Sequence, residues 1–267
     1  MNNGTPNVNS LFAQAHGYGD ISDETFSVLS VADLGAQIQA AMGVPALNVP
    51  TSRGVLLTIL IDDSGSIQYK GNEQAVRDGY NEVIGAMRES RQADEMLATT
   101  RYLNGKILYP YQFLSHVPLL DKNNYQANGG TPLYDQTIAT LGTVLAKTLE
   151  FASSGTPVNT VSLIVTDGND EGSGATARQV YPIVSDMLGQ ECHIVAGMGI
   201  DDGSTDFKKV FREMGIPDNW VMTPRNDPKE IRRAFQLFSQ SAIRASSSGV
   251  HFSQTAASGV SMGGFGV

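Results

Sequence analysis

Residues 55–66 have the sequence VLLTILIDDSGS, in which seven apolar or β-branched residues are followed at once by two acids and then two serines around a glycine. An apolar run of this length, without polar alternation, is typical of a strand that is buried on both faces of a parallel sheet. The polar residues follow the carboxyl end of this strand, which is where open α/β sheets bind their ligands. The segment therefore predicts a central strand and one part of a functional site.

The remainder of the chain alternates between strand-like and helical patterns. Strand-like segments lie near residues 98–103, 107–113, 160–165, 192–196 and 220–222, and helical spacing occurs over 31–42, 73–87, 133–151, 175–188, 207–214 and 228–243. Asn104-Gly105-Lys106 predicts a hairpin, and hence one antiparallel strand at a sheet edge. The alternation predicts an α/β fold with three layers, doubly wound around a mostly parallel central sheet. The glycines of residues 197–199 are expected to form a tight turn.

Composition divides the chain into four regions. Residues 1–20 are rich in Asn, Gly and Ser, which predicts a flexible N-terminal arm. We expect residues 21–52 to form an N-terminal extension whose short helix packs on the main domain, which spans residues 53–245. Residues 246–267 form a Ser/Gly-rich tail that cannot bury enough surface to fold alone.

The charge and the cysteine content limit the binding partners and the cellular compartments that are expected for the protein. The net charge of −9 argues against a general affinity for nucleic acid or for anionic membranes. Cys192 is the single cysteine, so no intrachain disulfide can form, as is usual in a reducing compartment. Neither a secretion signal nor an apolar run of about 20 residues is present. These features predict a cytoplasmic protein.

Three polar clusters follow strands or lie in the loop nearest to them. They are Asp62 with Ser64 and Ser66, then Thr131 after a pair of glycines, and Asp167 after the second buried strand. Because the carboxyl ends of parallel strands share one edge of the sheet, these side chains can converge. Two carboxylates and three hydroxyls are hard oxygen ligands suited to Mg²⁺, with Mn²⁺ or Ca²⁺ as alternatives. The sequence therefore predicts a metal site whose open position accepts an Asp or Glu carboxylate of a protein partner.

A rim around this site is predicted to contact the partner. It consists of Asp63, Gly130, Asn169 and Asp170, which adjoin the predicted ligands in sequence. Asp, Ser and Gly are also common in turns and helix caps, so a structural role in the turn is the alternative for Asn169 and Asp170.

The three clusters together resemble the metal-ion-dependent adhesion site (MIDAS) of von Willebrand factor A (vWA) domains. The matching motifs are DDSGS at residues 62–66, GT at 130–131 and TDG at 166–168, and the resemblance covers about residues 53–245. It implies a Rossmann-like vWA fold and a non-enzymatic protein-binding module. In such a module Asp62, Ser64, Ser66, Thr131 and Asp167 hold the metal directly or through water.

A finer resemblance links the compact form and the closing segment, residues 228–248, to bacterial proteins associated with tellurium resistance. It implies a stress-response or conflict and defence system, in which the partner is an AAA+ ATPase, a kinase or a phosphatase. Integrin-type domains carry an acidic pair where this chain has Ile67-Gln68-Tyr69-Lys70, so no adjacent second metal site is expected.

Two other functions are open at this point. The first is a Mg²⁺-dependent phosphoryl-transfer enzyme or phosphoacceptor that uses Asp62, although Ser64 stands where a haloacid-dehalogenase-like phosphatase would have a second Asp. The second is a structural subunit in which the metal only joins loops and the tails drive homo-oligomer assembly.

Overall fold

The computed structural model describes residues 6–247, which form a six-stranded sheet covered by helices. The strands are β1 (Gly54–Ile61), β2 (Met96–Tyr102), β3 (Ile107–Phe113), β4 (Val158–Thr166), β5 (His193–Gly199) and β6 (Val221–Met222). The helices are α1 (Val8–Tyr18), α2 (Asp23–Leu29), α3 (Ala32–Ala41), α4 (Gly65–Tyr69), α5 (Glu73–Arg88), α6 (Leu133–Ser153), α7 (Ala177–Gly189), α8 (Phe207–Glu213) and α9 (Pro228–Ser247). No helix within residues 6–247 is long and apolar enough to cross a membrane.

Strand β1 lies in the middle of the sheet, whose order is β3-β2-β1-β4-β5-β6. All eight of its residues are buried, and it pairs in parallel with both β2 and β4. Among the strands of the described residues only β3 runs antiparallel, and it lies at the edge, paired with β2 through the predicted hairpin. The predicted α/β class and the antiparallel edge strand are therefore confirmed.

The direction in which the chain winds changes at β1. From β1 the chain continues to β2 on one side, whereas β4 adds on the other side and leads to β5 and β6. The carboxyl ends of β1 and β4 therefore form the topological switch point, where open α/β sheets bind ligands. Right-handed crossovers place helices on both faces of such a sheet. On one of them α5 lies very close to α9, since a Cβ at Gly79 would stand 2.1 Å from the Phe235 ring.

The N-terminal arm predicted for residues 1–20 is wrong for residues 8–18, which form α1. The Asn7 side chain accepts hydrogen bonds from the first amides of this helix, and Gly19 ends it with a φ of 80°. Leu11 and Phe12 are buried, because the few apolar residues of the segment fall at helical spacing on one face. The high content of Asn, Gly and Ser, on which the prediction of a flexible arm depended, does not reveal this spacing. Residues 1–5 lie outside the described part of the chain.

The N-terminal extension has two α-helices, α2 and α3, rather than the single predicted one. Both pack on α6 at Gly142, where a Cβ would stand 2.7 Å from Ile38 and 3.0 Å from Leu29. At the other terminus, α9 continues to Ser247, so most of the predicted tail, residues 248–267, lies outside the described residues.

The glycines expected to form a turn at residues 197–199 instead complete β5. A Cβ at Gly197 would stand 2.7 Å from the Phe211 ring, and one at Gly199 would stand 2.1 Å from Phe207. Because glycine has no side chain, α8 can lie directly on β5, and this close packing explains the glycines at residues 197 and 199.

Candidate metal centre

Asp62 lies just past the carboxyl end of β1 and is completely buried. One carboxylate oxygen accepts a hydrogen bond from the Ser64 amide at 2.8 Å. The other accepts hydrogen bonds from the Thr166 hydroxyl at 2.9 Å and from the Asp167 amide at 3.0 Å. Asp62 therefore joins the end of β1 to the end of β4, across the switch point of the sheet.

Three further predicted ligands converge on this position. The Ser64 and Ser66 hydroxyl oxygens are 2.8 Å apart. The Ser66 hydroxyl donates to Asp167 Oδ1 at 2.5 Å, and the Ser64 hydroxyl lies 3.5 Å from the same oxygen. The structure thus brings two carboxylates and two hydroxyls into one continuous cluster of hydrogen bonds.

Thr131 is placed between these loops by the backbone. The loop at Ser64 forms a parallel bridge with Gly129, and Thr131 itself forms an antiparallel bridge with Glu171. Thr131 is 6% exposed, and its carbonyl accepts hydrogen bonds from Glu171 at 2.8 Å and from Leu133 at 2.7 Å. The fifth predicted ligand therefore lies in a segment that is tied both to the Ser64 loop and to the loop after β4.

The electrostatics of the site are set by the two buried carboxylates of Asp62 and Asp167 and by the Lys70 ammonium, which pairs with Asp167. Burial, and secondarily the charge of Asp167, raises the pKa of Asp62, while the hydrogen bonds that Asp62 accepts oppose this increase. Burial and the charge of Asp167 both destabilise the ionised form of Asp62, and a nearby cation relieves both effects. A divalent metal therefore suits the donor set, which is composed of hard oxygens. No cluster of three or more His, Cys, Asp and Glu side chains that could hold a metal occurs in residues 6–247. The candidate site has two carboxylates, and its other side-chain donors are hydroxyls.

Of the predicted rim residues, Gly130 and Asn169 are exposed, as a contact surface requires. Asp63 is 1% exposed, and its carboxylate accepts a hydrogen bond from the Asn104 amide at 3.0 Å. Burial raises the pKa of Asp63 to about 6. Asp63 therefore supports the loop from below and does not belong to the exposed rim.

Asp170 is also turned toward the protein. Its carboxylate accepts hydrogen bonds from the Tyr134 amide at 3.0 Å and from the Ser173 hydroxyl at 2.5 Å. It therefore satisfies an amide in the first turn of α6 and orders the loop after β4, which is the structural alternative considered for this residue.

Two residues that the sequence analysis did not assign to the site lie beside it: Tyr69, the last residue of α4, and Lys70, which follows it. Tyr69 is 89% exposed, and its ring lies over the loop, 3.3 Å from where a Cβ on Gly65 would be. The Lys70 ammonium donates to Asp167 Oδ2 at 3.0 Å and to the Asp167 carbonyl at 3.2 Å. The signal in the sequence is their position directly after the serine motif of residues 62–66.

No family model and no curated protein sequence matches this chain. Solved structures match it in fold. The vWF domain of the type V pilus tip protein Mfa5 from Porphyromonas gingivalis aligns with a TM-score of 0.52 and 10% identity, over 74% of this chain and 98% of that one. The pilus adhesin SpaC from Lactobacillus rhamnosus GG aligns with a TM-score of 0.51 and 10% identity, over 74% and 31%.

Proximal thread matrix protein 1 from the mussel byssus aligns with a TM-score of 0.50 and 16% identity, over 70% of this chain and 48% of that one. The chain thus spans about half or less of the byssus protein and of SpaC. Together with the sheet order, these alignments show that the chain has the vWA fold.

Proposed function

We propose that this chain is a non-enzymatic protein-binding module that captures an acidic residue of its partner through a divalent metal, with Mg²⁺ as the resident ion. Asp62, Ser64, Ser66, Thr131 and Asp167 are the proposed ligands. The observation that carries the proposal is the cluster of Asp62, Ser64, Ser66 and Asp167 at the carboxyl ends of β1 and β4.

The balance of ligand charge favours capture of an anion. Two carboxylates offset the charge of a divalent ion, whereas hydroxyl ligands are neutral and weak. A Mg²⁺ ion held in this way supplies an electrophilic centre with a coordination position for an external carboxylate. The exposed Gly130 and Asn169 leave access from the solvent side, and the exposed ring of Tyr69 adds an aromatic contact of the kind enriched at protein interfaces.

The enzyme alternative requires Asp62 to be a free nucleophile. Asp62 is instead fully buried, and Ser64 stands where a phosphatase of this kind would have a second carboxylate. The loop-joining alternative is also weakened, because the three loops already share backbone bridges at Ser64–Gly129 and Thr131–Glu171. These contacts favour the binding module.

The proposal extends to the location, the biological system and the partner of the module. We propose that the module acts in the cytoplasm, in a bacterial stress-response or conflict and defence system related to tellurium resistance. The partner is then an AAA+ ATPase, a kinase or a phosphatase that presents an Asp or Glu, and the tail beyond residue 247 contributes to homo-oligomer assembly.

The metal site is tested by titrating the full chain with Mn²⁺, followed by electron paramagnetic resonance, and with Mg²⁺, followed by calorimetry. We expect one site per chain that is abolished in Asp167→Asn and weakened at least about tenfold in Thr131→Val, because each loses a ligand. Asp121→Asn is the matched control, since Asp121 is exposed and its carboxylate accepts hydrogen bonds from the amides of Asn123 and Asn124 in its own loop. Unchanged binding in Asp167→Asn contradicts the site.

Partner capture is tested by pull-down with Mg²⁺, with a chelator, and with Asp62→Ala. We expect a specific partner in the first condition only. Capture that persists through both chelation and mutation contradicts metal-dependent binding. Turnover of a generic phosphate ester that Asp62→Asn abolishes would support the enzyme instead.

A further inference from the structure

Lys70 is held close to the candidate metal site by its backbone and by the end of its side chain. Its amide donates to the Ser66 carbonyl at 3.0 Å, which places Lys70 at the end of α4, and Gly71 then turns the chain away with a φ of 72°. Its ammonium lies 3.0 Å from Asp167 Oδ2 and 3.2 Å from the Asp167 carbonyl. The Lys70 side chain is 24% exposed and that of Asp167 is fully buried, so the ion pair joins a partly exposed ammonium to a buried carboxylate.

Asp167 is thereby shared between two kinds of donor. Oδ1 accepts the Ser66 hydroxyl, and Oδ2 holds the Lys70 ammonium. Lys70 provides the only ion pair made by Asp62 or Asp167 within residues 6–247. Its single positive charge already offsets part of the negative charge that would attract a divalent ion.

A metal ion and an ammonium group at the same carboxylate repel each other. Two cations a few ångströms apart in a partly buried site interact strongly, since solvent screens them poorly. A divalent ion entering beside Asp167 therefore has either to displace the ammonium or to bind against its charge. Displacement is available, because Lys has a long flexible side chain and Lys70 is close to solvent.

We propose that Lys70 is a built-in competitor of the divalent metal, a tethered cation that occupies Asp167 and must be released when the metal binds. Lys70 thereby lowers the affinity of the site for the metal. Release carries the ammonium toward the exposed rim beside Tyr69, where it adds a positive charge to the surface that meets an acidic partner. The inference rests on the proposed function, since it concerns the same metal site.

The first experiment compares Mn²⁺ and Mg²⁺ binding, by paramagnetic resonance and calorimetry, in the full chain and in Lys70→Gln, Lys70→Arg and Lys209→Gln. Lys209→Gln is the matched control, because it removes the same charge from an exposed residue whose partner is Glu213. We expect Lys70→Gln to bind both metals at least about tenfold more tightly, as is usual for removal of a nearby like charge. Lys70→Arg and Lys209→Gln are expected to bind like the unmodified chain.

The possible outcomes distinguish a failure of the Lys70 competition from a failure of the metal site itself. If the unmodified chain binds metal and Lys70→Gln binds no more tightly, the competition is overturned and the metal site stands. If neither the unmodified chain nor Lys70→Gln binds metal, and both show cooperative thermal unfolding, the metal site itself is overturned. Binding by Lys70→Gln alone supports both proposals.

A second experiment tests the release of Lys70 without any mutation. The full chain is acylated briefly with an N-hydroxysuccinimide ester, with and without saturating Mg²⁺, and the modification of each lysine is read by mass spectrometry. We expect Mg²⁺ to increase the modification of Lys70 and to leave that of Lys209 unchanged. Equal modification of Lys70 in both conditions, with the metal bound, contradicts the displacement.

Discussion

At the scale of single residues, Tyr125 holds the backbone on which the site depends. Its hydroxyl donates to the Asp62 carbonyl at 2.6 Å, and the side chain is fully buried. Burial raises the pKa of Tyr125 well above its usual value, so the hydroxyl keeps its proton and remains a donor. The hydrogen bond therefore restrains the backbone of Asp62.

We predict that Tyr125→Phe lowers the free energy of unfolding by about 1–2 kcal/mol, because a buried hydrogen bond is lost. It should also weaken Mn²⁺ binding, since Asp62 loses a restraint. Tyr111→Phe is the matched control: its hydroxyl lies 2.6 Å from the Thr58 hydroxyl, inside the sheet and away from the site. Urea denaturation and metal titration of both variants check this, and equal metal affinities contradict it.

The residues predicted for the site differ in how much of their role was visible in the sequence. Asp62, Ser64 and Ser66 follow a strand that its own residues predict, so their location at the sheet edge could be inferred. The buried position of Asp63 could not, because it depends on the amide of Asn104, which another loop supplies. The pairing of Lys70 with Asp167 also depends on a contact between distant segments.

At the scale of elements, a buried ion pair on α6 fastens the segment that leads from α3 to β1. Lys147 Nζ lies 2.7 Å from Glu150 Oε2, and both side chains are almost completely buried. Lys147 also donates to the Val44 carbonyl, and Glu150 accepts from the Ala46 amide at 3.1 Å. Gly43 enters this segment with a φ of 61°, where a Cβ would collide with the Tyr111 backbone.

We predict that Glu150→Ala destabilises the protein by about 3–5 kcal/mol, because Lys147 is left buried without its counter-ion. The double variant Lys147→Met with Glu150→Leu should lose less, since apolar side chains of similar volume replace both charges. Part of the loss remains, because Val44 and Ala46 lose their hydrogen-bond partners. Urea denaturation compares the two, and a double variant less stable than Glu150→Ala contradicts the prediction.

At the scale of the whole molecule, the N-terminal helices share one core with the α/β domain. Phe12 of α1, Leu29 of α2 and Ile38 of α3 are all fully buried in the core that also contains the residues of β1 and α6. Shared burial of this kind couples the unfolding of both parts, because neither can expose its apolar face alone without cost.

We predict that Phe12→Ala lowers the free energy of unfolding by about 3–5 kcal/mol through loss of a buried aromatic side chain. The variant should still unfold in one transition, followed by the fluorescence of Trp220, the single tryptophan, which lies beside β6. Leu47→Ala is the control, since Leu47 belongs to the same extension but is 86% exposed. A Trp220 transition unchanged by Phe12→Ala contradicts a shared core.

The sequence by itself determined the central strand, the hairpin edge, the alternation of strands and helices, and the polar clusters after β1 and β4. Each of these depends on periodicity and turn chemistry over a few neighbouring residues. The tertiary structure alone decided that Asp62 accepts the amide of Asp167, 105 residues further on, and that Lys70 occupies the Asp167 carboxylate. It also decided that Asp63 faces inward, toward the amide of Asn104. These features depend on which strands are neighbours and on what packs over them, and no local pattern contains that information.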